Sequence, residues 1–174
     1  MARSGWNVVV MCGVSLLAVA SSGQRAPSRV LRGAEAATFA PLEERAARSP
    51  DDAGAVVALA QAFVDRGSPG MALAVLERSP SVLERSPAAA DVASAALIGV
   101  GDNARALAMA HKAMSRCDEG ACAGVLMARV AQREEMLSAL VAAGINDLGA
   151  NPEGAEVAYR RAVRQVRIAL NDAR

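Results

Sequence analysis

Large rings are almost missing from this chain. Its 174 residues include two Phe, one Trp and one Tyr, and aromatics make up only 2%. That excludes a core built on aromatic packing. Hydrophobic residues still reach 53%, and Ala is the commonest residue. The core must therefore consist of small side chains at short helix–helix distances, each contact contributing little. Long β-branched runs are absent beyond the N-terminus, and Ala is the best helix former. The expected class is all-α. An excess of one charge is missing too, with 19 Lys+Arg against 18 Asp+Glu. The basic footprint of a nucleic-acid binder is not there. Lysine is nearly absent, because Arg supplies every basic residue except Lys112.

Catalytic signatures are also lacking. There is no G-x-S-x-G motif, no Gly-rich phosphate loop and no C-x-x-C pair. His111 is the only histidine. A Ser–His–Asp triad would need a strained nucleophile turn that nothing here supplies. His111, Cys117 and Cys122 match no common zinc spacing. Glu134 and Glu135 are adjacent acids that point in different directions on a helix, as a solvated surface would have them. A non-catalytic chain with no metal and no cofactor is expected.

The N-terminus reads as an address. In residues 1–20, MARSGWNVVVMCGVSLLAVA, Arg3 precedes an apolar run from Trp6 to about Leu17. Ala18-Val19-Ala20 then offers a small-x-small cleavage site, the layout of a secretory signal peptide. The run is shorter than the roughly 20 apolar residues of a spanning helix. Cleavage after Ala20 is expected, and loss of Arg3 would leave the mature chain formally neutral. The rival is an uncleaved anchor. A lipoprotein is disfavoured because Met11 directly precedes Cys12. Residues 21–40 are expected to form a flexible lead-in, of which 21–33 carry three arginines and no acid. The remaining stretch, 41–174, forms the helical domain.

Within that domain one pattern occurs twice. Phe63, Gly67 and Ala72 recur at a constant offset as Leu97, Gly101 and Ala106. The shared step is about 34 positions, the length of two-helix units that stack. A leading helix is expected over Pro41–Arg48, with Pro41 in its first turn and an alternative start near Ala34. A helix over about Ala53–Arg66 follows, with Val56, Leu59, Ala60 and Phe63 at i, i+3, i+4 and i+7. Gly67 ends it, and Ser68-Pro69 opens the next. Pro80 stops that helix near Ser79. VLERSP at 75–80 returns at 82–87, as a slipped duplication in a linker would. Asn103–Ser115 is helical, and Ala121–Ala143 reads as one long helix. A third repeat in register is absent, because the same step from Gly101 lands on Glu135. The last helix spans Pro152–Leu170, with Asn151 as cap and an apolar face of Tyr159, Ala162, Val163, Val166, Ala169 and Leu170.

The segment SPDDAGAVVALAQAFVDRGSPGMALAVLE resembles a tetratricopeptide repeat. The family's large, Leu, small, aromatic, turn-Gly and Ala positions fall on Val56, Leu59, Ala60, Phe63, Gly67 and Ala72. The second copy uses Ala90, Ala93, Ser94, Leu97, Gly101 and Ala106. The resemblance covers roughly 70 residues. It implies stacked antiparallel helix hairpins, about two repeats with capping helices. It also implies a concave groove lined by first-helix residues: Val57, Gln61, Val64 and Asp65, then Asp91, Ala95 and Ile98. The Lys and Asn with which some family members clamp a carboxylate are absent, and Val57 and Gln61 stand in their place. Such a mixed apolar and acidic groove suits a peptide segment.

Two further features stand apart from the repeats. With Cys12 assigned to the leader, Cys117 and Cys122 remain in CDEGAC. An even pair in an exported chain points to a disulfide. The intervening Gly permits the turn that a bridge needs, whereas a continuous helix would hold the pair too far apart. Free thiols and a redox pair are the alternatives. The last helix carries Arg160, Arg164 and Arg167 on one stripe. They are either a docking site for an acidic partner or anionic lipid, or a complement to the helix dipole and to Glu156. The structural reading is preferred. The expected role is a protein-interaction adaptor of a bacterial periplasm or envelope, with a protein or peptide partner and no nucleic acid. The alternatives are a membrane-tethered assembly factor and a small redox protein using Cys117 and Cys122.

Overall fold

Serine–proline and aspartate positions set where the helices begin. The fold is that of a computed structural model, which describes residues 34–148 and 150–172. The leader at 1–20, Cys12 and residues 21–33 lie outside the described residues. Eight α-helices are described: α1 (Ala34–Arg48), α2 (Ala53–Asp65), α3 (Pro69–Glu77), α4 (Pro80–Arg85), α5 (Pro87–Gly99), α6 (Asn103–Arg116), α7 (Gly124–Ala142) and α8 (Pro152–Asp172). A π-turn, Cys117–Ala121, joins α6 to α7. No strand occurs among the described residues, so the chain is all-α.

Pro69, Pro80 and Pro87 each follow a serine and open a helix, where the missing N–H costs nothing. Asp52 caps α2 by accepting from the backbone N–H of Gly54 at 2.8 Å. Asp102 caps α6 by accepting from the N–H of Arg105 at 3.0 Å. The second copy of VLERSP is not a linker. It supplies α4, which buries Val82 against the first core.

The repeat period appears in the backbone. Helices α2 and α5 have 13 residues each and begin at Ala53 and Pro87. Both end in the same turn. Ser68 N donates to Phe63 O at 2.9 Å, and Asp102 N to Leu97 O at 3.0 Å. Gly67 and Gly101 stand at φ 68° and 81°. Only glycine reaches that region without a Cβ penalty, which explains both residues. A third turn of this kind closes α7. Ile145 N donates to Leu140 O at 2.9 Å, with Gly144 at φ 70°. Gly144 lies past Glu135, where the repeat step from Gly101 lands, so this turn falls outside the spacing shared by the first two.

Each helix packs on its successors. Helix α1 lies on α2, α2 on α3 and α5, and α3 on α5. Then α5 packs on α6, α6 on α7, and α7 on α8. The first core gathers Phe39, Val56, Leu59, Ala60, Phe63, Ala72, Leu76 and Val92 among others. The second holds Leu97, Ala106, Ala110, Leu137, Leu140, Ile145 and Ala158. Ala60, Ala72, Ala96 and Ala106 are fully buried, so small residues sit where helices approach closely. Gly99 shows how tight this becomes. A Cβ there would stand 2.9 Å from the Pro69 ring, between the end of α5 and the start of α3.

Two expectations need correction. Helix α1 begins at Ala34, so Pro41 lies in its interior rather than in its first turn. Phe39 is the reason. It is buried and stacks on Phe63 with ring centroids 4.8 Å apart, which draws the segment before Pro41 into the fold. In α8 the buried edge runs through Ala155 and Ala158, and the expected Tyr159 and Val163 are exposed. The side chains of Ala162, Val166, Ala169 and Leu170 lie outside the described residues. A Cβ at Gly154 would stand 2.6 Å from Ile145 Cδ1, so α8 meets Ile145 closely along this small-residue edge. No helix among the described residues is long and apolar enough to cross a membrane.

Candidate interaction site

Seven residues singled out in the sequence fall on α2 and α5, two helices in contact. Val57, Gln61 and Val64 are half-buried on α2, and Asp65 is exposed. Ala95 and Ile98 are half-buried on α5. The repeat offset pairs them: Val57 with Asp91, Gln61 with Ala95 and Val64 with Ile98. Val57 and Val64 rest partly on the first core, and Ile98 on the second. Gln61 Nε2 donates to Asp65 Oδ1 at 2.6 Å, so the two polar groups of α2 are held together.

Asp91 differs from the other six. It is 2% exposed, and two arginines of α7 hold it. Arg129 donates to Oδ2 through Nε at 2.8 Å, and its Nη2 lies 2.7 Å from the same oxygen. Arg133 Nη1 donates to Oδ1 and, at 2.7 Å, to the Asp91 carbonyl. Arg133 is largely buried and Arg129 is half-exposed. Burial pushes the Arg133 guanidinium below its ordinary value. Asp91 therefore does not offer a free acid at the surface. Sequence reading had no route to these arginines, because α7 lies outside the repeat register. The one signal was their i, i+4 spacing, which puts both on one side of α7.

Other polar contacts join neighbouring elements. Ser94 Oγ donates to Ala106 O at 2.8 Å, and Asn103 Nδ2 to Ile145 O at 2.8 Å. Lys112 lies 2.5 Å from Glu84, linking α6 to α4 and holding the Glu84 carboxyl below its usual range. His111, which fitted no catalytic or zinc pattern in the sequence, places Nε2 3.2 Å from Glu134 of α7. Glu134 is accordingly half-buried rather than freely solvated.

Cys117 and Cys122 are bridged, with Cα atoms 4.8 Å apart. Gly120, at φ 84°, makes the turn between them. Cys117 is buried, and the bridge sits where α6 gives way to α7. On α8, Arg160 and Arg164 are exposed, and Arg160 pairs with Glu156. The Arg167 side chain lies outside the described residues. Among the described residues, no group of three or more His, Cys, Asp or Glu is placed to hold a metal ion. No family model, no curated protein and no solved structure matches this chain.

Proposed function

We propose that this chain is a tetratricopeptide-like adaptor, exported to a bacterial periplasm or envelope. In this reading it binds a peptide segment of a protein partner and performs no chemistry. One observation carries the reading. Two helix pairs related by one constant offset share their starts, their glycine-capped turns and their buried small positions. Stacked units of that kind present a row of first-helix residues to a partner. Here the row is Val57, Gln61 and Val64 on α2, continued by Ala95 and Ile98 on α5. These residues are half-buried at the edges of the cores, which leaves surface for contact with an extended or helical segment. Fold alone does not fix function, so the row must be tested directly.

The test is a photo-crosslinking residue introduced at Gln61, with a second protein labelled at Tyr159 as comparison. Both are expressed in the source cells as full-length chains. Crosslinks to one defined protein from Gln61 but not from Tyr159 are expected. Crosslinks from Tyr159 alone would move the site to α8 and overturn the reading. N-terminal sequencing of the protein from cells tests export. A start at Ser21 is expected, and an intact Met1 end would favour the tethered alternative.

A further inference from the structure

The Asp91 cluster carries one positive charge too many. It contains one carboxylate and two guanidinium groups. Both carboxylate oxygens and the Asp91 carbonyl are already used. Asp91 is buried, so water does little to screen the imbalance from that side. Arg133 is desolvated as well. Arg129 is the outward member: half-exposed, it makes its ion pair through Nε and Nη2. No second acid pairs with Arg129 or Arg133 among the described residues. The guanidinium plane is fixed by Asp91, so its remaining N–H groups are oriented before any ligand arrives.

The position of the cluster gives it meaning. Asp91 begins the α5 row that continues with Ala95 and Ile98 at i+4 and i+7. Arg129 reaches that row from α7. The row that read as mixed apolar and acidic in sequence therefore carries a cation at its Asp91 end, on the same helix row as half-buried Ala95 and Ile98. We infer that Arg129, positioned by Asp91 and backed by Arg133, is an anchoring site for a carboxylate side chain of an acidic, apolar-flanked peptide segment. This deepens the adaptor reading and rests on it for the choice of a peptide. A guanidinium binds a carboxylate by two parallel N–H···O bonds, which gives direction as well as charge. Burial of Asp91 keeps the site from collapsing when Arg129 is changed, because Arg133 still neutralises it.

The experiment uses the full chain and a fluorescein-labelled short peptide alternating Glu and Leu. Its Gln and Lys counterparts serve as controls, and binding is read by fluorescence anisotropy. Saturable binding of the Glu peptide alone is expected, weakening as salt rises. Arg129→Gln should weaken it about tenfold or more, and Arg129→Lys should restore part of the loss. An Arg160→Gln, Arg164→Gln double variant should bind like the wild type. Circular dichroism and a melting curve check that each variant is folded. The inference is overturned if the Glu peptide does not saturate, if Arg129→Gln binds it unchanged, or if only the α8 variant loses it. Those failures differ from failure of the adaptor reading. A cellular partner crosslinked from Gln61 with no acidic-peptide binding would sink the Arg129 site alone. Arg129-dependent binding with no such partner would sink the adaptor reading alone.

Discussion

Removing Asp91 would leave Arg133 buried without its counter-charge. A buried pair broken from one side costs about 3–5 kcal/mol, because the surviving charge stays desolvated. Asp91→Ala should therefore lower stability by that order in urea melts. Arg129→Gln should cost about 1 kcal/mol or less, since its side chain is half-exposed and Arg133 remains. Equal costs for the two variants would contradict the assignment of Arg133 as the inner partner. Glu84 supplies a pH dependence. Lys112 holds its carboxyl below the ordinary value of 4.5. The unfolded chain thus binds more protons than the folded one over this range. Stability from the pair is fully present above the unfolded value and is lost as pH falls through the folded one. A Glu84→Gln variant should lose less melting temperature than the wild type between about pH 6 and about pH 3. At this scale the sequence was half legible. Val56, Leu59, Ala60 and Phe63 were marked by helical spacing, and all four are buried. Asp91 was not, because its partners sit 38 and 42 residues downstream and no local pattern ties them to it.

Helix ends are the most legible elements, since capping chemistry is local. Asp52, Ser68-Pro69 and Gly67 mark their turns in any context, and the structure uses each of them. Replacing Gly67 or Gly101 by Ala should cost about 1–2 kcal/mol each, the penalty of a Cβ at positive φ. Gly99→Ala should be worse than its ordinary helical φ suggests. The added carbon meets the stiff Pro69 ring, and overpacking of this kind costs about 1–3 kcal/mol. An Ala at Gly70, which has open space around it, is the control and should be nearly neutral or stabilising. The bridge between α6 and α7 closes a small ring, so Cys122→Ser should lower stability by about 2 kcal/mol. If that variant lost a cellular phenotype at unchanged stability, the redox alternative would return. Rotation of α8 and the start of α1 were less legible. Both are decided by distant partners, Ile145 for one and Phe63 for the other.

For the whole molecule, the two repeat units were readable because one spacing governs both. Helices α7 and α8 were legible as helices, but the spacing of the first two units does not extend to them, so their contacts with α5 were not. Arg129 and Arg133 of α7 neutralise the acid that the α5 row showed in sequence at Asp91. The adaptor reading concerns that row, and the most direct measurement compares capture by two proteins. The tagged full chain and a Gln61→Arg, Ile98→Arg double variant are crosslinked in cells and recovered side by side. The variant is first shown to be folded by circular dichroism. One defined protein captured by the wild type and lost with the variant is the expected result. The same protein captured equally by both would contradict the account, and would place its contact on the α8 arginines or the N-terminal segment instead.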